Sequence, residues 1–110
     1  MRTNFIVALV ACGSKKKAGE IADSLLKKRL IACANIISGV ESKFWWNGRI
    51  DKAKEFLILL KARKKDFKKI EKEIRRIHSY EVPEIIAFPI IAGSEKYLDW
   101  LKEETCARGS

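Results

Sequence analysis

His78-Ser79-Tyr80-Glu81-Val82-Pro83-Glu84-Ile85-Ile86-Ala87-Phe88-Pro89-Ile90 reads as the end of a helix, a turn, and then a strand covered on both faces. Pro83 disfavours helical geometry at Val82 and sets an extended entry. Pro89 has no N–H for a neighbour, so the far end of the strand is an edge, a bulge or a terminus. Between the prolines the chain is almost entirely apolar, without the alternation of a strand that is wet on one side.

The pattern on either side supplies the cover. Upstream, residues 65–77 carry Phe67, Ile70, Ile74 and Ile77 on one face of a helix and Lys, Glu and Arg on the others. Before that helix, Asn47-Gly48 stands between apolar arms, and both residues tolerate the positive φ of a type I′ hairpin turn. One arm is Leu30 to Ile37, bent or bulged at Ser38-Gly39 and resumed to Trp46; the other returns through Glu55-Phe56-Leu57-Ile58-Leu59-Leu60. Phe5 to Ala11 reads as a first buried strand. Ser14 caps a helix whose stripe is Ala18, Ile21, Ala22, Leu25 and Leu26. After residues 84–91, a short last helix puts Tyr97, Leu98 and Leu101 on one side.

The order β-α-β-β-α-β with an appended helix is an α+β, ferredoxin-like arrangement. Right-handed crossovers put the two main helices on one face of a four-stranded sheet and leave the other without cover from this chain. Yet the strands are apolar in both parities, as in Ile6, Ala8 and Val10 against Phe5, Val7 and Leu9. A monomer rarely exposes more than roughly a few hundred Å2 of contiguous apolar surface. A partner sheet is therefore expected, most simply another copy in a closed ring, with the Trp45-Trp46-Asn47-Gly48 hairpin as the pairing arm.

At 110 residues the chain holds a single domain, placed at 1–104, with residues 105–110 as a tail. Lys and Arg outnumber Asp and Glu by 23 to 14, a net charge of +9, but the signs are interspersed as on a solvated surface. No nucleic-acid partner is expected: an RNA module of this element order carries stacking aromatics on its first and third strands, where this chain has aliphatic residues. The longest apolar run, Phe5–Cys12, is too short to cross a bilayer, so the reading is cytoplasmic, with no membrane partner. Cys12, Cys33 and Cys106 have no C-x-x-C spacing and indicate neither a disulfide framework nor a structural zinc site. No serine or cysteine stands in a nucleophile setting with a second histidine to activate it, and the chain is read as non-enzymatic.

Four segments carry a family resemblance. Arg29-Leu30-Ile31-Ala32-Cys33-Ala34-Asn35-Ile36-Ile37, Phe44-Trp45-Trp46-Asn47-Gly48-Arg49-Ile50, His78-Ser79-Tyr80-Glu81-Val82-Pro83-Glu84-Ile85 and Tyr97-Leu98-Asp99-Trp100-Leu101 resemble, in order and spacing, the CutA-type divalent-cation tolerance proteins. The resemblance implies a ferredoxin-like subunit in a tight homotrimer of PII-like architecture, and a role in tolerance to divalent metals, copper especially. It names no downstream partner. Ser38 and Ser79 depart from the family, which usually has proline at both places.

His78 is the only imidazole and is followed by Tyr80, Glu81 and Glu84. With Cys12 and Glu84 it makes a candidate metal set, since imidazole and thiolate suit Cu(II) or Zn(II). It reads equally as a residue that satisfies orphan carbonyls at a helix C-terminus. Cys12, beside Gly13-Ser14 and a helix N-terminus, is expected to have a lowered thiol pKa, and Cys33 to be a small core residue. Trp45, Trp46, Tyr80, Glu81 and Trp100 are candidates for an inter-subunit cleft, with at most one of the adjacent tryptophans lining it. The leading reading is a trimer that binds copper or a related divalent ion near its subunit interface. The alternative is a PII-like sensor of a small anionic metabolite, suggested by the net charge and the Lys15-Lys16-Lys17 turn.

Overall fold

The computed structural model describes residues 4–105. Its elements are β1 (Phe5–Cys12), α1 (Lys15–Lys27), β2 (Ile31–Trp46), β3 (Arg49–Arg63), α2 (Phe67–Ile77), β4 (Ile85–Pro89) and α3 (Glu95–Glu104), with a 3₁₀ turn, Lys64–Asp66, leading into α2. The strand order is β2-β3-β1-β4, antiparallel at every pairing. This is the ferredoxin-like arrangement.

Local chemistry sets the joints. Ser14 is extended and accepts the Lys17 N–H at 3.1 Å, which starts α1. Asn47 and Gly48 have φ of +51° and +75°, the left-handed pair of a tight hairpin turn. Gly39 has φ of +74° at the register shift between Ile37 and Val40, where β2 bulges. β4 is shorter than the expected 84–91: Pro89 ends the ladder, and Glu84 is an exposed loop residue.

The core lies between one sheet face and the α1–α2 layer. Ile6, Ala8, Val10 and Cys12 of β1 are opposite Ala62, Leu60, Ile58 and Phe56 of β3. They meet Ala18, Ile21 and Leu25 of α1 and Ile70 and Ile74 of α2. The two helices are tied by Glu73, 6% exposed, which accepts from Ser24 Oγ, from Lys28 Nζ at 3.1 Å, and from Arg76 Nε and Nη2 at 3.0 and 2.7 Å. A carboxylate is tolerated in so dry a place because both its oxygens are bonded.

The opposite face is not wholly bare, as the sequence pattern suggested, because α3 folds back over one corner of it. Tyr97 lies against the thiol of Cys33, which projects from this face with its ladder partner Lys61. Cys33 is thus a half-buried neighbour of Lys61 and Asn35, not a core residue. Thr105, grouped with the tail by the sequence reading, is 1% exposed, bonds the Leu101 carbonyl through its hydroxyl at 2.7 Å and accepts from Arg63 Nη2 at 2.7 Å. Cys106 and the rest of the tail lie outside the described residues. Away from α3 the face stays apolar: Val7, Leu9, Leu57 and Leu59 are half-buried, and Ile86 and Phe88 are exposed.

Candidate functional site

The polar chemistry gathers at the C-terminal end of β1, where the loop after α2 crosses the inner half of β3. α2 stops at His78, whose N–H still donates to Ile74 O at 2.7 Å while its ψ turns extended. The imidazole leaves the helix and reaches the sheet, with Nε2 2.7 Å from the carbonyl oxygen of Ala11. Nδ1 accepts the N–H of Tyr80 at 3.0 Å. A carbonyl can only accept and a backbone N–H can only donate, so the ring hydrogen is on Nε2 and both ring nitrogens are engaged. The orphan carbonyl of Ile77 at the end of α2 is taken instead by Lys17, whose Nζ donates to it at 3.1 Å. His78 does not satisfy the end of its own helix, one of the two readings of its position; its ring is a staple between loop and strand.

That staple aims Tyr80. Its ring packs on His78 with centroids 4.7 Å apart, and its hydroxyl donates to Glu55 Oε2 at 2.9 Å. Burial, and then the bond to Glu55, push the phenol up to about 12. Gly13 leaves room for the ring: a Cβ there would come within 3.2 Å of the Tyr80 hydroxyl. Glu55 is 8% exposed and was missed in the sequence, where it only opens the apolar run of β3. A carboxylate at the head of a buried strand is the signal that could have found it.

Cys12 adjoins this network and is fully buried. Burial raises its thiol above the ordinary cysteine value, the charge of Glu55 adding and that of Lys17 opposing. This corrects the expectation of a lowered pKa: desolvation of the thiolate outweighs the nearby helix N-terminus.

Outside Tyr80 lies an open cavity of about 840 Å3 between the hairpin and the 80–84 loop. Phe44, Trp46 and Val82 give it apolar walls; Asp51, Glu55, Glu81 and Glu84 bring carboxylates, against Lys43 and Lys52. Of the residues singled out in the sequence, Trp46, Tyr80, Glu81 and Glu84 line it. Trp45 is 71% exposed at the hairpin, and Trp100 packs on Tyr97 at 5.4 Å on α3. Cys12 and His78 stand behind Tyr80, and Glu84 lies at the cavity. Among the described residues no group of three or more His, Cys, Asp or Glu is placed to hold a metal ion. The described donors of one chain therefore do not form a complete metal site.

Residues 6–104 match the CutA1 divalent ion tolerance protein family. The chain is 40% identical over 99 residues to the divalent-cation tolerance protein CutA of Thermus thermophilus, covering 90% of this chain and 96% of that protein. It is 38% identical to the chloroplastic protein CutA 1 of rice, over 91% of this chain and 56% of the relative, so it spans little more than half of that protein. The solved structure of the periplasmic divalent cation tolerance protein CutA from Archaeoglobus fulgidus superposes with a TM-score of 0.90 at 38% identity, over 92% of this chain and 98% of that one. No described helix is long and apolar enough to cross a membrane.

Proposed function

Since the chain belongs to the CutA1 divalent ion tolerance protein family, we propose that it acts in the cytoplasm as a non-enzymatic homotrimer that binds a divalent cation, copper in particular, in the cleft between the hairpin and the 80–84 loop. The observation that carries the proposal is the incompleteness of the donor set. Glu81 and Glu84 are exposed at the cleft, Glu55 is held by Tyr80, and no three donors converge within the described residues. Zinc and copper ordinarily take about four ligands. A neighbouring copy is the simplest source of the missing ones, and the apolar strip of Val7, Leu9, Leu57, Leu59, Ile86 and Phe88 is a surface on which such a copy can pack. Carboxylates receive the ion first. Copper preference needs Cys12 and His78 as well, and His78 becomes a ligand only by giving up the Ala11 carbonyl or the Tyr80 N–H.

Calorimetric titration with Cu(II), Zn(II) and Mg(II) tests this. Glu81→Gln/Glu84→Gln should weaken all three ions by about tenfold or more, the loss of a charge-assisted contact. Cys12→Ala/His78→Ala should weaken copper alone. Unchanged copper affinity in both variants would reject the cleft as the metal site.

A further inference from the structure

A second concavity lies on the helical side of the sheet, formed by α2, the end of α1 and the entry to β2. It encloses about 730 Å3 and is lined by Lys28, Lys69, Lys72, Arg75 and Arg76, with Glu73 and Leu30. Five cations thus face one carboxylate. That carboxylate cannot neutralise them: Glu73 already takes Ser24, Lys28 and Arg76 on its two oxygens, and its pKa is held well below the ordinary glutamate range, first by Arg76 and then by Ser24. Lys69 and Lys72 form no ion pair within 4.0 Å among the described residues. The sequence reading of interspersed charges does not hold in space here, because the acid nearest the cluster is spent on tying α1 to α2.

From this geometry we infer that the α1–α2 concavity is a site for a compact polyphosphorylated anion, of the size of a triphosphate chain. Lys69, Lys72 and Arg76 follow one another at i, i+3 and i+7, a span of about 10 Å along α2 at ~1.5 Å per residue. A few consecutive phosphates match that length. Lysine supplies mobile point charges, Arg75 supplies a planar donor that binds phosphate oxygens in pairs, and Arg76, whose Nε and Nη2 are held by Glu73, adds its remaining Nη1. An extended polyanion fits less well, since Glu71, 3.9 Å from both Lys68 and Arg75, interrupts the positive field along the helix. The site is on the far side of the sheet from the apolar strip and apart from the cleft, so it stands whether or not the cleft binds metal.

The test is calorimetric titration with inorganic tripolyphosphate in chelator-treated buffer at about 50 mM salt, where surface charges are weakly screened. Lys69→Glu/Lys72→Glu is compared with Lys96→Glu/Lys102→Glu on α3, which changes the net charge equally. The wild type and the α3 variant should bind, and the α2 variant should lose at least about tenfold in affinity, with melting curves confirming that both fold. If the reversed pair fails to fold, Lys69→Gln/Lys72→Gln replaces it, with the same expectation. Absence of binding by the wild type, or equal losses in both variants, would overturn the site. So would tighter binding of a short DNA duplex than of tripolyphosphate with the same dependence on Lys69 and Lys72, which would make the surface a nucleic-acid contact.

Discussion

The hydroxyl of Tyr80 and the carboxylate of Glu55, 25 residues apart in sequence, meet at 2.9 Å and fasten the loop after α2 to the inner half of β3. Removing only the donor, in Tyr80→Phe, leaves a buried carboxylate oxygen without its partner. Hydrogen bonds to charged groups contribute about 1.5–3 kcal/mol, so a chemical-denaturation series should show a loss of that order. Glu55→Gln keeps an acceptor for the hydroxyl and should cost less. Equal stabilities of Tyr80→Phe and wild type would show the bond to be energetically idle.

Gly13 offers a second way to disturb the same bond. Alanine there would press on the Tyr80 hydroxyl at 3.2 Å. Tyrosine fluorescence cannot isolate Tyr80 in a chain with three tryptophans and a second tyrosine, so the readout is the NMR shift of the Tyr80 ring. Gly13→Ala should move that ring's resonances, while Gly19→Ala, whose Cβ meets nothing within 4 Å, should not.

The tie between α1 and α2 is acid-sensitive. Glu73 has a folded-state pKa depressed below its unfolded value, principally by Arg76. Its contribution is therefore fully present above the ordinary glutamate pKa of about 4.3 and is lost as pH falls below that toward the depressed folded value. Melting points measured from pH 6 down to pH 2 should fall more steeply for wild type than for Glu73→Gln, which has no proton to take up at this position. Parallel profiles would dismiss Glu73 as a source of acid lability.

Cys12 should be chemically quiet in the native protein. Its thiol is raised by burial, and thiols react as thiolates. Alkylation with iodoacetamide at neutral pH, read by peptide mass, should label Cys12 only after unfolding. Rapid labelling of the folded protein at Cys12 would restore the helix N-terminus argument that the structure overturns.

The sheet face opposite α1 and α2 yields a measurement of mass. Phe88 is 51% exposed and shares that face with Val7, its partner in the β1–β4 ladder. Light scattering should give the mass of three chains for wild type and a smaller species for Phe88→Glu, since a buried unpaired charge at an apolar interface is costly. A wild-type monomer at micromolar concentration would dismiss the trimer.

What could be read in advance follows from where the information resides. Ser14, Gly39, Asn47-Gly48 and Pro89 are local devices, each fixing one joint through its own backbone chemistry, so strand order and hairpin were legible. The position of α3 was not, because Tyr97, Leu98 and Leu101 say that one side is apolar without saying which surface will meet it. At the site, the loop from His78 to Glu84 was found from its punctuation and its lone imidazole. The engagement of both His78 nitrogens was hidden, since Ala11 O is 67 residues away and every residue carries a carbonyl. Glu55 was hidden for the same reason: a carboxylate becomes informative only once its donor is known.

β3 pairs with β1 only as far as Phe56, yet its pairing with β2 continues outward to Arg49. From Glu41 to Lys54, beyond the Tyr80–Glu55 bond, the hairpin is thus a two-stranded ribbon with no third strand, a form that is marginal in water when nothing lies beside it. Its amide protons should behave as a gauge of company: exchanging quickly in dilute solution, slowing as subunits crowd in, and changing pace before the four-stranded part of the sheet registers any difference.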